Sequence, residues 1–194
     1  MKRCDWCGSD PLYMDYHDNV WGRPVTDSRD LFAKLCLDGQ QAGLSWITIL
    51  RKQDSYYKAY DDFNPEIIST YDQDKVDSLL QDSGIVRNKL KVQSIIKNAK
   101  GYLAIENELG SFAQYIWSFV NHKPIINEWT SMSEIPTTSP ESDAMSKDLK
   151  KKGFSFVGST ICYAFMQAVG MVQDHIIDCP SYQPCIEESK RFKL

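Results

Sequence analysis

Apolar residues recur along this chain at helical spacing, and nowhere do they alternate as a half-buried strand demands, so the sequence reads as all-α. Residues 28 to 39, SRDLFAKLCLDG, place Leu31, Leu35 and Cys36 on one face with Phe32 alongside. Thr26 and Asp27 precede them as N-cap candidates, and Gly39 offers a stop. From Ser45 the apolar positions Trp46, Ile47, Ile49 and Leu50 open a helix expected to continue to about Tyr60. Asn64-Pro65 is a cap and first-position pair for a short helix, and 73–81 carries Val76, Leu79 and Leu80 at helical spacing. Gly84 is expected to end that helix. A tight turn then leads into another, with apolar face Leu90, Val92, Ile95, Ile96, Ala99 and Leu103, giving a helix, hairpin, helix shape. Residues 111–120 form a further helix. The run TSMSEIPTTSPESD is loop chemistry before the basic helix AMSKDLKKKG, and 157–169 reads as a buried helix.

A chain of 194 residues suits one well-packed domain. With 42% hydrophobic and 25% charged residues it is neither a disordered tail nor a collagen-like repeat. No apolar run approaches the roughly 18 to 20 residues of a membrane span, and MKRCDWCGSD lacks a signal peptide's apolar stretch, so we expect a cytoplasmic monomer with no membrane partner. Twenty-two Lys and Arg against 26 Asp and Glu give a net charge of -4, which confines any nucleic-acid surface to a local patch. Six cysteines without an export signal point to thiols and metal ligation in place of a disulfide framework.

Those cysteines fall in two groups: Cys4 and Cys7 near one end, followed by His17, and His175, Cys179 and Cys185 near the other. Zinc favours a mixed sulfur and nitrogen tetrahedron, and local spacing alone favours Cys7 over His17 as a ligand, while unrelated surface residues would give the same spacing. Convergence would close nearly the whole chain as a loop, a constraint on the order of 4 to 5 kcal/mol in the chain-entropy view of cross-links. Trp6, Tyr13, Tyr16, Trp21 and Trp46 crowd the first quarter. They serve either as core aromatics or as a pocket whose π faces sandwich a flat, cationic ligand. Asp38 could accept hydrogen bonds from such a ligand or simply be solvated at a helix end. Arg87, Lys89, Lys91, Lys97 and Lys100, with Lys147, Lys150, Lys151 and Lys152, make basic faces. At a helix start such cations, with backbone N–H groups, form a phosphate cradle; on a plain surface they are only solvated. Walker, GxGxxG and GxSxG patterns are absent.

Several segments are more specific. DPLYMDYHDNVWGRPVTDSRDLF, LDGQQAGLSWITIL, GIVRNKLK, FVNHKP, MSEIP, KDLKKKGFSFVGSTICYAFMQAVG and DHIIDCP run in order over about residues 3–180 and together closely resemble the DNA-3-methyladenine glycosylase I family. The resemblance implies an all-α helix-hairpin-helix glycosylase fold spanning 1–194. A helical part at about 28–120 contains the hairpin, while 1–27 and 121–194 pack together around a structural zinc. It places the zinc on Cys4, His17, His175 and Cys179, leaving Cys7 and Cys185 as spare thiols. The base pocket falls on Trp6, Tyr13, Tyr16, Trp21 and Trp46, a wedging turn on Gly43 and Leu44, and a phosphate-gripping hairpin on Gly84, Arg87, Lys89 and Lys91.

Two positions depart from the family pattern: Asp38 stands where a pocket Glu is usual, and Ala164 where many members have Ser. The implied reaction is monofunctional hydrolysis of the N-glycosidic bond of 3-methyladenine in alkylated double-stranded DNA, with free 3-methyladenine as product. Asp38 and Tyr16 act at the base, and no lysine is expected in position for a Schiff base. The rival reading is a protein that flips and holds alkylated bases without turnover because Asp38 is one methylene short.

Overall fold

Asp27 begins the central helix. Its carboxylate accepts from the backbone N–H groups of Arg29 and Asp30, so α2 (Ser28–Gln40) starts capped. Leu31, Phe32, Ala33, Leu35, Cys36 and Leu37 are all buried, so α2 is wrapped on nearly every side. Gly39 does not stop it. The helix runs through the glycine, where a β-carbon would lie 3.1 Å from the Phe156 carbonyl, so the residue serves close packing instead of termination.

The computed structural model describes residues 2–194. Before α2 lies α1 (Pro11–Asn19), capped by Asp10, and after it α3 (Trp46–Leu50) and α4 (Gln53–Ala59). The expected continuous helix from 45 to 60 is therefore broken at Arg51 and Lys52. Lys52, at φ -101° and ψ 0°, stands at the N-cap of α4, and its ammonium donates to the Ser83 carbonyl at 2.8 Å. Asn64 and Pro65 start α5 (Pro65–Ile68) as expected, and α6 (Gln73–Leu79) follows. α6 ends before Gly84, which sits inside the connection to α7 (Lys89–Leu109). Asn88 caps α7 and Gly110, at φ 83°, closes it. Leu90 is 67% exposed and does not join the buried face of Val92, Ile95, Ile96 and Ala99.

The remaining helices are α8 (Phe112–Ser118), α9 (Pro140–Lys151), α10 (Ser159–Ala168) and α11 (Tyr182–Arg191). One parallel pairing joins β1 (Ile125–Ile126) to β2 (Val172–Gln173), with Ile125 opposite Val172, a strand pair too short to leave an alternating pattern. A large core gathers Phe32, Phe63, Phe112, Ile116, Trp117 and Phe165. A second, smaller cluster of Tyr16, Trp21 and Ala168 packs against Trp6, Tyr13 and Trp46. The two chain ends meet beside it: Gly22 and Val25 donate backbone hydrogen bonds to the carbonyls of Ala168 and Val169. Among the described residues no helix is long and apolar enough to cross a membrane.

Candidate functional site

Cys4, His17, His175 and Cys179 are buried together, with one potential ligand atom from each lying within 4.8 Å of all the others. Cys179 Sγ is 3.5 Å from His17 Nε2 and 3.6 Å from His175 Nδ1, and Cys4 Sγ is 3.6 Å from His175 Nδ1. A tetrahedral ion with bonds of about 2.3 Å to sulfur and 2.0–2.1 Å to nitrogen separates such donors by about 3.6 Å, so the spacing fits. The other ring nitrogens are already committed. His17 Nδ1 lies 2.8 Å from Asp18 Oδ1, and His175 Nε2 lies 3.2 Å from the Trp21 carbonyl; both contacts place the ring proton there and turn the lone pair inward. Arg3 grips Asp18 through two guanidinium nitrogens at 2.9–3.0 Å, fixing that support. Cys179 is held well below the ordinary thiol range, first by the Cys4 thiol and then by the two imidazoles, while Cys4 is displaced upward. Cys7 is buried but directs its thiol to the Cys4 carbonyl at 3.2 Å, and it is His17, which local spacing disfavoured, that stands in the four-donor cluster.

Beside the cluster, and separated from it by Trp6 and Trp21, lies a cavity of about 230 Å³ lined by Trp6, Tyr13, Tyr16, Trp21, Trp46 and Asp38 together with Ala164 and Gln167. Trp6 packs on Tyr13 and Trp21 with ring centroids 5.1 Å apart in each case, and it lies 5.2 Å from the His17 ring. Tyr16 meets Trp46 at 5.5 Å. The five aromatics singled out from sequence thus converge, and the cluster at the chain ends props them from behind. Asp38 is only 3% exposed, not a solvated helix end. Its Oδ2 and the Trp46 indole N–H are buried without hydrogen-bond partners.

Sequence reasoning missed Lys34. One turn before Asp38 on α2, its ammonium is ion-paired to Asp38 Oδ1 and lies over the Trp46 ring, 3.7 Å from the centroid. The signal was the i, i+4 spacing itself, which for two opposite charges ordinarily marks only an exposed helix face. Burial pushes the Asp38 carboxyl up and the Lys34 ammonium down, and the pair partly opposes both changes.

Gly43 and Leu44 form the turn after α2. Gly43 has φ +76° with open space where a β-carbon would be, and Leu44 is 38% exposed beside the cavity residues Gln41 and Trp46. Arg87 and Lys89 are exposed at the start of α7. Lys91 is not available as a phosphate contact. It is buried, and its ammonium donates to the carbonyls of Gln40 and Ala42 at 2.7 Å each, satisfying the last turn of α2. Gly84 packs against Ser55, and its N–H is taken by Asp82 at 2.7 Å.

This helical fold, with its aromatic cavity beside a four-donor Cys/His cluster, falls in a class of helical proteins with solved members. The family model for methyladenine glycosylases matches residues 6–182. DNA-3-methyladenine glycosylase 1 of Escherichia coli (strain K12) is 52% identical over 182 residues, spanning 94% of this chain and 97% of that protein. A crystal structure of a 3-methyladenine DNA glycosylase I superposes with TM-score 0.92 at 52% identity, covering 93% of this chain and 100% of the other. A variant 3-methyladenine DNA glycosylase I solved in complex with 3-methyladenine superposes with TM-score 0.91 at 40% identity, covering 94% and 98%. The chain belongs to the methyladenine glycosylase family.

Proposed function

We propose that this protein excises 3-methyladenine from alkylated double-stranded DNA by hydrolysing the N-glycosidic bond, releasing the free base and leaving the strand uncut. The observation that carries this reading is the pair of orphaned groups in the cavity, the Asp38 Oδ2 acceptor and the Trp46 N–H donor. A buried unmet donor and acceptor among aromatic faces suit a flat heterocycle that carries both complements. That a family relative was solved with 3-methyladenine supports the same ligand here.

N3-alkylated adenine in DNA is cationic and its glycosidic bond is already weak, so extrusion and correct holding do most of what catalysis requires. Leu44, on the Gly43 turn, enters the stack. The flipped base lies against Trp46 and meets Tyr16, while Trp6, Tyr13 and Trp21 shape the walls. Asp38 accepts hydrogen bonds from the base and offsets its charge, and water attacks the anomeric carbon. Lys34 Nζ is engaged by Asp38, so no lysine is assigned a Schiff-base role. Arg87 and Lys89, with the backbone N–H groups at the start of α7, hold a phosphate.

The donor set suits zinc: Cys4, His17, His175 and Cys179 would hold it in a closed structural site. When bound, the ion supplies a cross-link between the chain ends and no chemistry at the base.

The shortness of Asp38 and its engagement by Lys34 favour one second reading, a protein that holds the lesion without turnover. Chromatography of methylated DNA after incubation separates the two. Free 3-methyladenine is the expected result, and tight binding with no released base leaves only the second reading.

A further inference from the structure

The cavity contains its own cation. Lys34 Nζ sits over the Trp46 face and against Asp38, the two groups through which the pocket would otherwise read the charge of an alkylated base. The same ammonium is 5.9 Å from the Tyr16 ring centroid, so three of the residues assigned to the base already share one positive charge. Lys34 also lines a second cavity of about 210 Å³ together with Asp30, Leu37, Tyr57 and Val169. Asp30, Lys34 and Asp38 succeed one another at intervals of four along α2, so the lysine has a carboxylate one turn to either side and space towards each.

Resting on the base-pocket reading above, we propose that Lys34 is a specificity-determining residue that lets this pocket take uncharged purine bases as well as cationic alkylated ones. The effect is electrostatic and holds whether Lys34 stays on Asp38 or moves aside when a base enters. A fixed carboxylate over an open aromatic floor favours a cation over a neutral molecule of the same shape. A resident ammonium within a few ångströms cancels much of that preference, because it neutralises Asp38 when it stays and repels a cationic ligand when it shifts aside. The remaining selection comes from shape, stacking and the unmet Asp38 Oδ2 and Trp46 N–H. These groups recognise an amino group and a ring acceptor whatever the charge of the ring.

The test uses two small ligands of one shape at about pH 8, the fixed cation 3,9-dimethyladeninium and its uncharged 3-deaza counterpart, with binding followed by tryptophan fluorescence and calorimetry. The parent should bind both with affinities within about tenfold of each other. Lys34→Met should shift the ratio about tenfold or more towards the cation, the scale of one desolvated cation–π or ion-pair contact, and Lys34→Arg, which keeps the charge, should leave the ratio near the parent's. Circular dichroism establishes that each variant is folded, and the arginine variant carries the comparison if the methionine variant is not: its ratio should then stay at the parent's value. An unchanged ratio in a folded Lys34→Met protein, a parent that already prefers the cation far beyond tenfold, or an arginine ratio shifted towards the cation would overturn the role of Lys34 while leaving the pocket intact. Absence of binding by both ligands to every protein would overturn the base-pocket reading itself, and the role of Lys34 with it.

Discussion

Asp38 shows what a single residue's surroundings add to its identity. The sequence marks it as a carboxylate near aromatics, one methylene shorter than the family's usual acid. Only the fold reveals that it is buried, half-satisfied and shared with Lys34. Restoring the methylene should carry the unmet oxygen further into the cavity, so Asp38→Glu is expected to raise single-turnover base release by up to about tenfold, the value of one charge-assisted hydrogen bond. The pH dependence follows from burial. Because burial raises the Asp38 carboxyl above its ordinary value, the ionised acceptor is lost as pH falls through that raised value, before an exposed aspartate would protonate. The acid limb of the release rate should therefore lie at higher pH than an exposed aspartate would set and disappear in Asp38→Asn, which a pH series under single-turnover conditions checks. Asp174 escaped sequence reasoning altogether. It is fully buried and accepts from Asn127, Trp129, Tyr163 and Gln167, partners up to 47 residues away whose convergence no local pattern announces.

The elements were legible where a cap and an apolar period agreed and illegible where one was missing. Asp27 and Asn64 cap helices at the places their side chains suggested. α1 is only nine residues long, with Tyr13 and Tyr16 on one face among polar neighbours, and α11 is mostly polar, so neither shows a long apolar stripe. The start of α7 was half-read: its cations are there, but one of them points inward. Lys91 ties α7 to the last carbonyls of α2, and Gln40 completes the joint by donating to the Lys91 carbonyl and accepting from the Tyr56 hydroxyl. This fixes the Gly43–Leu44 turn relative to the start of α7. Lys89→Ala and Arg87→Ala should weaken damaged and undamaged DNA alike and each lower the salt slope by about one. Lys91→Met leaves buried carbonyls unpaired, so it should cost about 1 to 3 kcal/mol in denaturant unfolding and change the salt slope little. A Lys91 variant of parental stability that lost a full unit of slope would reassign it to the phosphates.

At the scale of the molecule, the ends of the chain make the pocket. His17 and His175 belong to the four-donor cluster, while Trp6 packs on His17, and Trp21, whose carbonyl orients His175, packs on its ring at 4.6 Å. Cluster and cavity therefore share a wall, a relation between residues more than 150 positions apart that motif order implies but spacing cannot show. His17→Ala should lower bound zinc and Tm together, whereas Cys7→Ala should leave the metal in place, as metal analysis alongside thermal melts will show. Loss of zinc from the Cys7 variant with retention in the His17 variant would reverse the assignment. The central claim joins that wall to the chemistry: an alkylated base held on Trp46 against Asp38 is released from DNA. Its most direct measurement is single-turnover release of 3-methyladenine from methylated duplex at saturating protein, with the parent and Asp38→Asn compared side by side. We predict release by the parent and release on the order of tenfold slower by the asparagine variant, because a negative charge facing the cationic base is gone. An asparagine variant as fast as the parent would contradict the account.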